Sequence, residues 1–347
     1  MPGQLSDIIG LLYGKFRPLA DRNCAIDRIV VLKSGENPTY DYYLRPRLKG
    51  LHAITVDISQ GKAASTIALK RGDYVLICRY LNRGWAYKID RATGLAGAGL
   101  FFDDDYVAFM GDRSVPLLYR LDVARRTVLP LHGIRHRLTD ILVSTPVIRD
   151  RFRHARATVL RPIPGQEDLL SQPAALPDGP VRIAFHAQLS HIADHGFAAD
   201  IARGLAGIGN VAFDVIGPAQ ARRLWADIPS VTFQSEIDWR AYRLRTGQIG
   251  ADILIAPMLD TPLNQARSAT KAIDAVRMGA AGVFQASPAY ETLGEAALLV
   301  AGGPEAWIAE LRRLIGQRQL RDTHASRLRT EIETWAKRSD GFPELLS

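Results

Sequence analysis

The groups best able to hold an anion lie between Asp252 and Asp274. An apolar strand, Asp252–Ile255, runs into the loop Ala256-Pro257-Met258-Leu259-Asp260. Thr261 and Pro262 then read as an N-cap and first-turn pair, although the helix could also begin a few residues later. Ala266, Ala269, Ile273, Val276 and Ala280 recur at three- and four-residue steps and predict a buried stripe. Arg267, Lys271 and Asp274 fall at i, i+4 and i+7 on another face, with Asn264 and Ser268 flanking them toward the N-terminus. Free backbone N–H groups, the helix dipole, two cations and a hydroxyl would together suit a diphosphate. An acid one turn further on could accept hydroxyls of a sugar or ribose. The same spacing also describes an exposed helix face on which Lys271 and Asp274 form an i, i+3 ion pair.

Other residues offer narrower chemistry. Asp103-Asp104-Asp105 could supply carboxylate oxygens to a hard cation, but consecutive side chains at a strand end diverge. A carboxylate that orients hydroxyls or caps the next helix is the reading preferred, and no metal is expected. His191 follows a strand by a few residues, and its imidazole could bond a hydroxyl or a developing oxyanion. A structural hydrogen bond would satisfy it equally well. His186 and His195 are weaker candidates. His132 and His136 have i, i+4 spacing but lack the glutamate of His-Glu-x-x-His. Ser34-Gly35 could approach a phosphate, without a full glycine-rich fingerprint. Trp225, Trp239 and Trp307 fall in helical segments and read as packing.

The elements that must position these groups alternate along the chain. In the first half Arg28–Leu32, His52–Val56, Tyr74–Cys78, Gly99–Phe102, Ile141–Val143 and Thr158–Leu160 read as strands. Tyr42–Leu48 and Val115–Arg126 have helical spacing. Arg161 to Pro180 is rich in proline and glycine and predicts a linker. Beyond it, Arg182–Phe185, Ala212–Ile216, Val231–Phe233, Ile253–Ile255 and Val283–Gln285 read as strands. Ala198–Ala206, Ala219–Ala226, Arg240–Gly247 and Gln265–Met278 read as helices, and Glu305–Lys337 as a charged helical stretch. Strands alternating with helices predict βαβ units and parallel sheets. Ligands of such sheets bind beyond the carboxyl ends of the strands, here in a cleft between two halves.

The 347 residues fit two domains. An apolar share of 47 % lets each bury a core. No segment has the run of about 20 apolar residues that a membrane-spanning helix needs. Met1–Arg22 lacks the apolar core of a signal peptide, so a cytoplasmic protein is expected. Cys24 and Cys78 are the only two cysteines, and neither has metal-ligand spacing. The formal charge of +8 favours anionic partners, and its densest patch runs from Arg125-Arg126 to Arg135-His136-Arg137. That patch is either a solvated face or a docking face for an anionic membrane or acceptor. Nucleic-acid binding would rest on charge alone and is not expected.

The Asp252–Asp274 stretch resembles the C-terminal domain of glycosyltransferases related to family 4. A subgroup of these carries Asp-Thr-Pro-Phe-Asn…Lys-Ser…Lys…Glu-Tyr, then a small residue, glycine and an apolar strand. Asp260, Thr261, Pro262, Asn264, Ser268, Lys271 and Gly279 match it; Leu263 stands for Phe, Arg267 for Lys and Asp274 for Glu. Pro288 and Tyr290 match a later Pro-Tyr. In the first half, Asp73–Tyr80 is similar to a strand ending in Arg-Tyr, Phe101–Asp105 to an acidic strand end, and Thr139–Pro146 to a Val-Ser-Thr-Pro segment. Tyr43-Leu44-Arg45-Pro46 loosely resembles an early Tyr-Arg, and Phe185–His191 a strand followed by Gly and Thr/Ser-His. The resemblance spans roughly residues 26–295.

It implies an α/β, GT-B fold of two Rossmann-like domains: 1–163 on the acceptor side, 164–320 binding a nucleotide sugar, and a C-terminal helix in 321–347 that could cross back to the first domain. It implies transfer of a sugar, with retention, from a nucleotide-diphosphate sugar to a glycan, lipid or other acceptor, as in polysaccharide biosynthesis, with no cofactor. The implied catalytic residues are His191, Asp103 and Asp274. Pro257, Asn264, Arg267, Ser268, Lys271 and Asp274 would bind the donor, and Tyr43, Arg45, Arg79 and Asp104 the acceptor. Peripheral contact with the inner face of a membrane is compatible with this reading; oligomeric state is not specified. Family 4 enzymes usually place two glutamates eight positions apart on the donor helix, where this chain has Ala266 and Asp274. They also use Arg and Lys after the first C-domain strand, where Gln188 and His195 are nearest. These departures make a catalytically inactive binding or scaffold protein the alternative, with a nucleotide-sugar epimerase a third.

Overall fold

The computed structural model describes residues 21–22, 24–61, 66–152, 157–171 and 179–337, which form two units. The first comprises the described residues up to Ile163 together with Ala266–Ser268. The second runs from Pro164 to Gln265 and from Ala269 to Lys337.

The first unit holds β1 (Arg28–Lys33), β2 (Ala53–Asp57), β3 (Asp73–Cys78), β4 (Gly97–Phe102), β5 (Asp140–Val143) and β6 (Ala157–Val159). They form one parallel sheet in the order β2-β1-β3-β4-β5-β6. Its helices are α1 (Arg83–Arg91), α2 (Tyr106–Gly111), α3 (Leu117–Arg126), α4 (Val128–Ile134) and α5 (Pro146–Arg149). Every residue of β3 and β4 is buried, as expected of parallel strands covered on both faces. Two glycines make that packing possible. A Cβ on Gly99 would stand 2.1 Å from the Tyr74 hydroxyl, and one on Gly97 would stand 2.6 Å from Thr139 Oγ1. The space they leave admits the Tyr74 ring, whose hydroxyl donates to Asp140 at 2.9 Å.

The second unit opens with α6 (Gln166–Leu169) and holds β7 (Val181–His186), β8 (Val211–Gly217), β9 (Val231–Ser235), β10 (Ile253–Ala256), β11 (Ala281–Gln285) and β12 (Leu298–Val300). The sheet is again parallel, in the order β12-β11-β10-β7-β8-β9. Counted within the unit this is 3-2-1-4-5-6, so the order reverses between β7 and β10. Helices α7 (Ile192–Leu205), α8 (Arg222–Trp225), α9 (Trp239–Gln248), α10 (Pro262–Gln265), α11 (Thr270–Met278), α12 (Pro288–Glu291), α13 (Pro304–Gly316) and α14 (Arg318–Lys337) surround it. Trp225 and Trp307 are buried in its core, consistent with packing roles. Helix α11 ends at Gly279, whose left-handed φ of 68° is the ordinary glycine stop.

Three expectations are corrected. Gln265–Met278 is not one helix: α10 ends at Gln265, and α11 begins at Thr270. The interruption, Ala266–Ser268, belongs to the first unit, where the Ala266 carbonyl accepts from Thr145 Oγ1 at 3.1 Å. Tyr42–Leu48 is a π-turn over Tyr40–Leu44 and a 3-10 turn over Arg45–Leu48, because Pro46 cannot donate to a regular α-helix. Glu305–Lys337 is helical, as its pattern predicts, in two helices parted at Gln317. Arg161–Pro180 is not merely a linker: Asp168 of α6 is buried and its Oδ2 accepts from the Gly165 N–H at 2.9 Å. Strand β12 escaped the sequence reading. Residues 1–20, 172–178 and 338–347 lie outside the described residues, and with them most of the N-terminus, part of the proline-rich segment and the end of the predicted C-terminal helix. Among the described residues no helix is long and apolar enough to cross a membrane.

Gly99→Ala should lower stability by about 1–3 kcal/mol, since the added methyl must displace the Tyr74 hydroxyl from Asp140. The midpoint of urea unfolding measures it; an unchanged midpoint would contradict this account of β4.

Candidate functional site

The residues singled out from the sequence gather at the carboxyl ends of the two sheets, in separate groups. In the second unit, the topological reversal lies between β7 and β10. His191 follows β7 and donates from Nδ1 to Asp194 Oδ2 at 2.8 Å. Asp194 is buried, and its Oδ1 accepts from the Leu259 N–H at 2.9 Å and from Asn264 Nδ2 at 3.0 Å. One carboxylate thus joins the loop after β7 to the loop after β10. It fixes the His191 tautomer so that Nε2 is the basic nitrogen. Thr261 caps α10 by accepting from the Asn264 N–H at 3.2 Å, as its sequence position predicts. Pro257 is buried within the same loop. Sequence reasoning missed Asp194, whose i, i+3 spacing from His191 was the available signal.

A second group surrounds α11. Asp274 is 4 % exposed rather than facing solvent. Its Oδ1 accepts from Arg277 at 2.5 Å, and its Oδ2 from Lys271 and the Tyr242 hydroxyl, each at 3.0 Å. Arg277, itself buried, also donates to Asp168 at 2.9 Å and to Thr246 Oγ1 at 2.8 Å. Arg243 reaches Asp168 as well, at 3.1 Å. Burial opposes the charge of Lys271, but Tyr242 and Asp274 beside it prevail and raise its pKa. Burial, reinforced by Asp274, pushes the Tyr242 phenol up to about 12. Lys271 is therefore a fixed cation in the first turn of α11. At the ends of β11 and just beyond it, Gln285 Oε1 and Ser287 Oγ are buried and make no hydrogen bond.

Two further histidines of this unit are held neutral. His195 Nε2–H donates to the Ala187 carbonyl at 3.0 Å, while Nδ1 accepts from the Trp225 indole at 3.2 Å. Both nitrogens serve the core, so His195 is structural. His186 Nδ1 meets the Tyr242 hydroxyl at 3.2 Å, and Asp214 lies beyond, held by Arg245 at 2.7 Å. Burial depresses the pKa of both histidines.

The first unit carries Arg79, Asp103 and Asp104 at the ends of β3 and β4. Arg79 has φ +66°, a left-handed conformation that is strained for a residue with a side chain. Its guanidinium lies 3.2 Å from Asp103 and 3.7 Å from Asp104, and it donates to Thr39 at 2.9 Å. Thr39 in turn donates to Asp103. Burial raises the pKa of Asp103, against the pull of Arg79. Arg267 pairs with Asp104, and Ser268 shares a hydrogen bond with the Tyr43 hydroxyl. Arg267 and Ser268 are thus in the first unit and Lys271 and Asp274 in the second, and they do not form one helix face. Asp105 caps α2 by accepting from Val107 and Ala108, as one reading of the aspartate run foresaw. Arg45 pairs with Asp41 at 3.1 Å. The Gly35 N–H donates to Asp57, which removes it as a phosphate donor. Among the described residues no group of three metal-ligating side chains occurs.

No family model matches the chain, and no curated protein matches it. Solved structures do. Staphylococcus aureus TarM, in complex with Fondaparinux, alpha-GlcNAc-glycerol and UDP, has a TM-score of 0.55 at 8 % identity, over 80 % of this chain and 55 % of that one. Sucrose-phosphate synthase from Thermosynechococcus elongatus gives 0.56 at 13 % identity, covering 88 % and 94 %. The E. coli trehalose-6-phosphate protein bound with UDP-2-fluoro glucose gives 0.58 at 12 % identity, covering 92 % and 99 %. The chain thus spans about half of TarM and nearly all of the other two. These similarities define the class of fold: an α/β protein of two Rossmann-like domains, GT-B, as the resemblance implied.

Arg79→Met should cost about 3 kcal/mol, by leaving buried Asp103 with Thr39 and the more distant charge of Arg267 in place of its ion pair, and adding Asp103→Asn should recover part of it. Denaturant melts of the two single variants and the double variant measure this; additivity would contradict the coupling. His186 and His195 are neutral when folded but have an ordinary pKa near 6.5 when unfolded. Their folded pKa values are lowered, so their stability is complete above about pH 6.5 and declines as pH falls below it. Each contributes up to about 1.4 kcal/mol per pH unit. Thermal melts between pH 7.5 and 5 should show the decline, and His195→Gln should reduce its slope.

Proposed function

We propose that the protein is a glycosyltransferase that takes a sugar from a nucleotide-diphosphate sugar. The second unit holds the donor, and the first unit, roughly residues 1–163, receives a glycan, lipid or other acceptor. The carrying observation is the carboxyl edge of the second sheet. There Lys271 is a fixed cation, and Ser287 Oγ and Gln285 Oε1 are buried without partners. Buried polar atoms are almost always paired, so two orphans at a Rossmann ligand edge suit a bound polar molecule. Lys271 would oppose the charge that develops on the leaving diphosphate. His191, oriented by Asp194, would hold a donor hydroxyl through Nε2. The solved structures in complex with UDP or UDP-2-fluoro glucose lend the nucleotide class its support. Retention of configuration and membership of family 4 rest on the motif resemblance.

A second reading, a binding protein without turnover, is favoured by one observation. Asp274, which stands for a donor-binding glutamate, is fully engaged by Lys271, Tyr242 and Arg277.

Thermal shift with UDP, GDP and their sugars tests the first reading, because a ligand of the native state raises the melting temperature. UDP or GDP should raise it, and Lys271→Met should weaken that nucleotide about tenfold or more, the scale of a charge-assisted hydrogen bond. Release of the nucleotide from its sugar separates transferase from scaffold, and the product anomer, read by NMR, reports retention. Absence of any nucleotide shift would refute the proposal.

A further inference from the structure

Helix α3 (Leu117–Arg126) is amphipathic the wrong way round. Its buried face carries Arg120, which donates to the Met110 carbonyl at 2.8 Å, and Val123. Its exposed face carries leucines: Leu118 is 81 % exposed, Leu117 54 % and Leu121 44 %. At 3.6 residues per turn, Leu117, Leu118, Leu121 and Arg125 fall within one arc of about 100°. Helix α4 (Val128–Ile134), packed against α3, adds Leu129 at 60 % exposure. Isolated exposed leucines are ordinary, but three on one arc of a single helix mark an interaction surface.

The charges beside this face indicate its occupant. Arg125 and, just beyond α4, Arg135 are exposed at its margins. Between Gly111 and Arg137 six arginines accompany two aspartates, Asp112 and Asp122; one arginine, Arg120, is buried. A second copy would suit the leucines poorly, because a two-fold pairing of one patch with itself brings its arginines together. An anionic lipid surface answers both features: acyl chains receive the leucines and headgroup phosphates receive the arginines. Ten residues, about 15 Å of helix, can lie in an interface but cannot span it.

We propose that α3 and α4 form a docking face for anionic membrane, Leu117, Leu118, Leu121 and Leu129 entering the acyl boundary and Arg125 and Arg135 meeting the phosphates. The proposal is independent of the ligand assigned above. Reversible membrane binding generally needs two signals, and this face supplies both.

Flotation of the full chain with vesicles tests it. The protein should bind phosphatidylcholine vesicles containing phosphatidylglycerol, and pure phosphatidylcholine about tenfold more weakly or not at all. High salt should weaken the binding. Leu117→Ser/Leu118→Ser/Leu121→Ser should reduce binding about tenfold or more at an unchanged melting temperature, since those side chains are exposed. Arg125→Glu should do the same with less effect on any residual binding to neutral vesicles. Failure to bind the anionic vesicles, or a triple variant that binds as the wild type does, would overturn the proposal. So would a leucine-dependent dimer, seen by sedimentation, that ignores vesicles.

Discussion

The Arg277 guanidinium is the group on which the second unit's site depends. Buried within α11, it donates to Asp274, Asp168 and Thr246, and it lies against the rings of Trp239 and Tyr242. It therefore ties α11 to α6 and α9. A buried cation is tolerable only when its donors are used, and here each nitrogen has a partner. Asp274, held on one oxygen by Arg277, offers the other to Lys271 and Tyr242. The ammonium of Lys271 is placed by a chain of contacts that begins in the core.

The first unit solves a similar problem by a different route. Its buried arginine stands at a strand end rather than on a helix, and its backbone is bent into the left-handed region to aim it at Asp103. The strain, on the order of 1–3 kcal/mol, persists only because the carboxylates and Thr39 hold the side chain. In both units a buried arginine is neutralised by carboxylates packed beside a parallel sheet.

The sheets were largely legible. Eleven of the twelve strands among the described residues follow from short apolar runs, most clearly in the centre of each sheet, where strands covered on both faces must be apolar throughout. The buried stripe from Ala266 to Ala280 was also readable, as those five positions are all buried. The site was legible in residue type but not in grouping. Spacing set Arg267, Lys271 and Asp274 on one helix face because a local pattern cannot reveal that Ala266–Ser268 pack elsewhere. Asp168 was hidden for the opposite reason: proline and glycine around it signal irregular backbone, which need not be unattached backbone. Asp194 and Arg277 are single charged residues within helices, and only tertiary contact distinguishes them from solvated ones.

Charge balance in the second unit bears on how an anion could be held there. Lys271, Arg277 and Arg243 face Asp274, Asp168 and Glu167, so the network is neutral as a whole. A diphosphate would meet no excess of positive charge in it. Its recognition must rest on the most exposed of these cations, Lys271, 30 % accessible, and on neutral donors such as the Ser287 hydroxyl. Neutral hydrogen bonds are about half as strong as charge-assisted ones but depend closely on geometry. Such a site draws its selectivity from position, and the rigid pairing around Arg277 is what keeps those positions fixed.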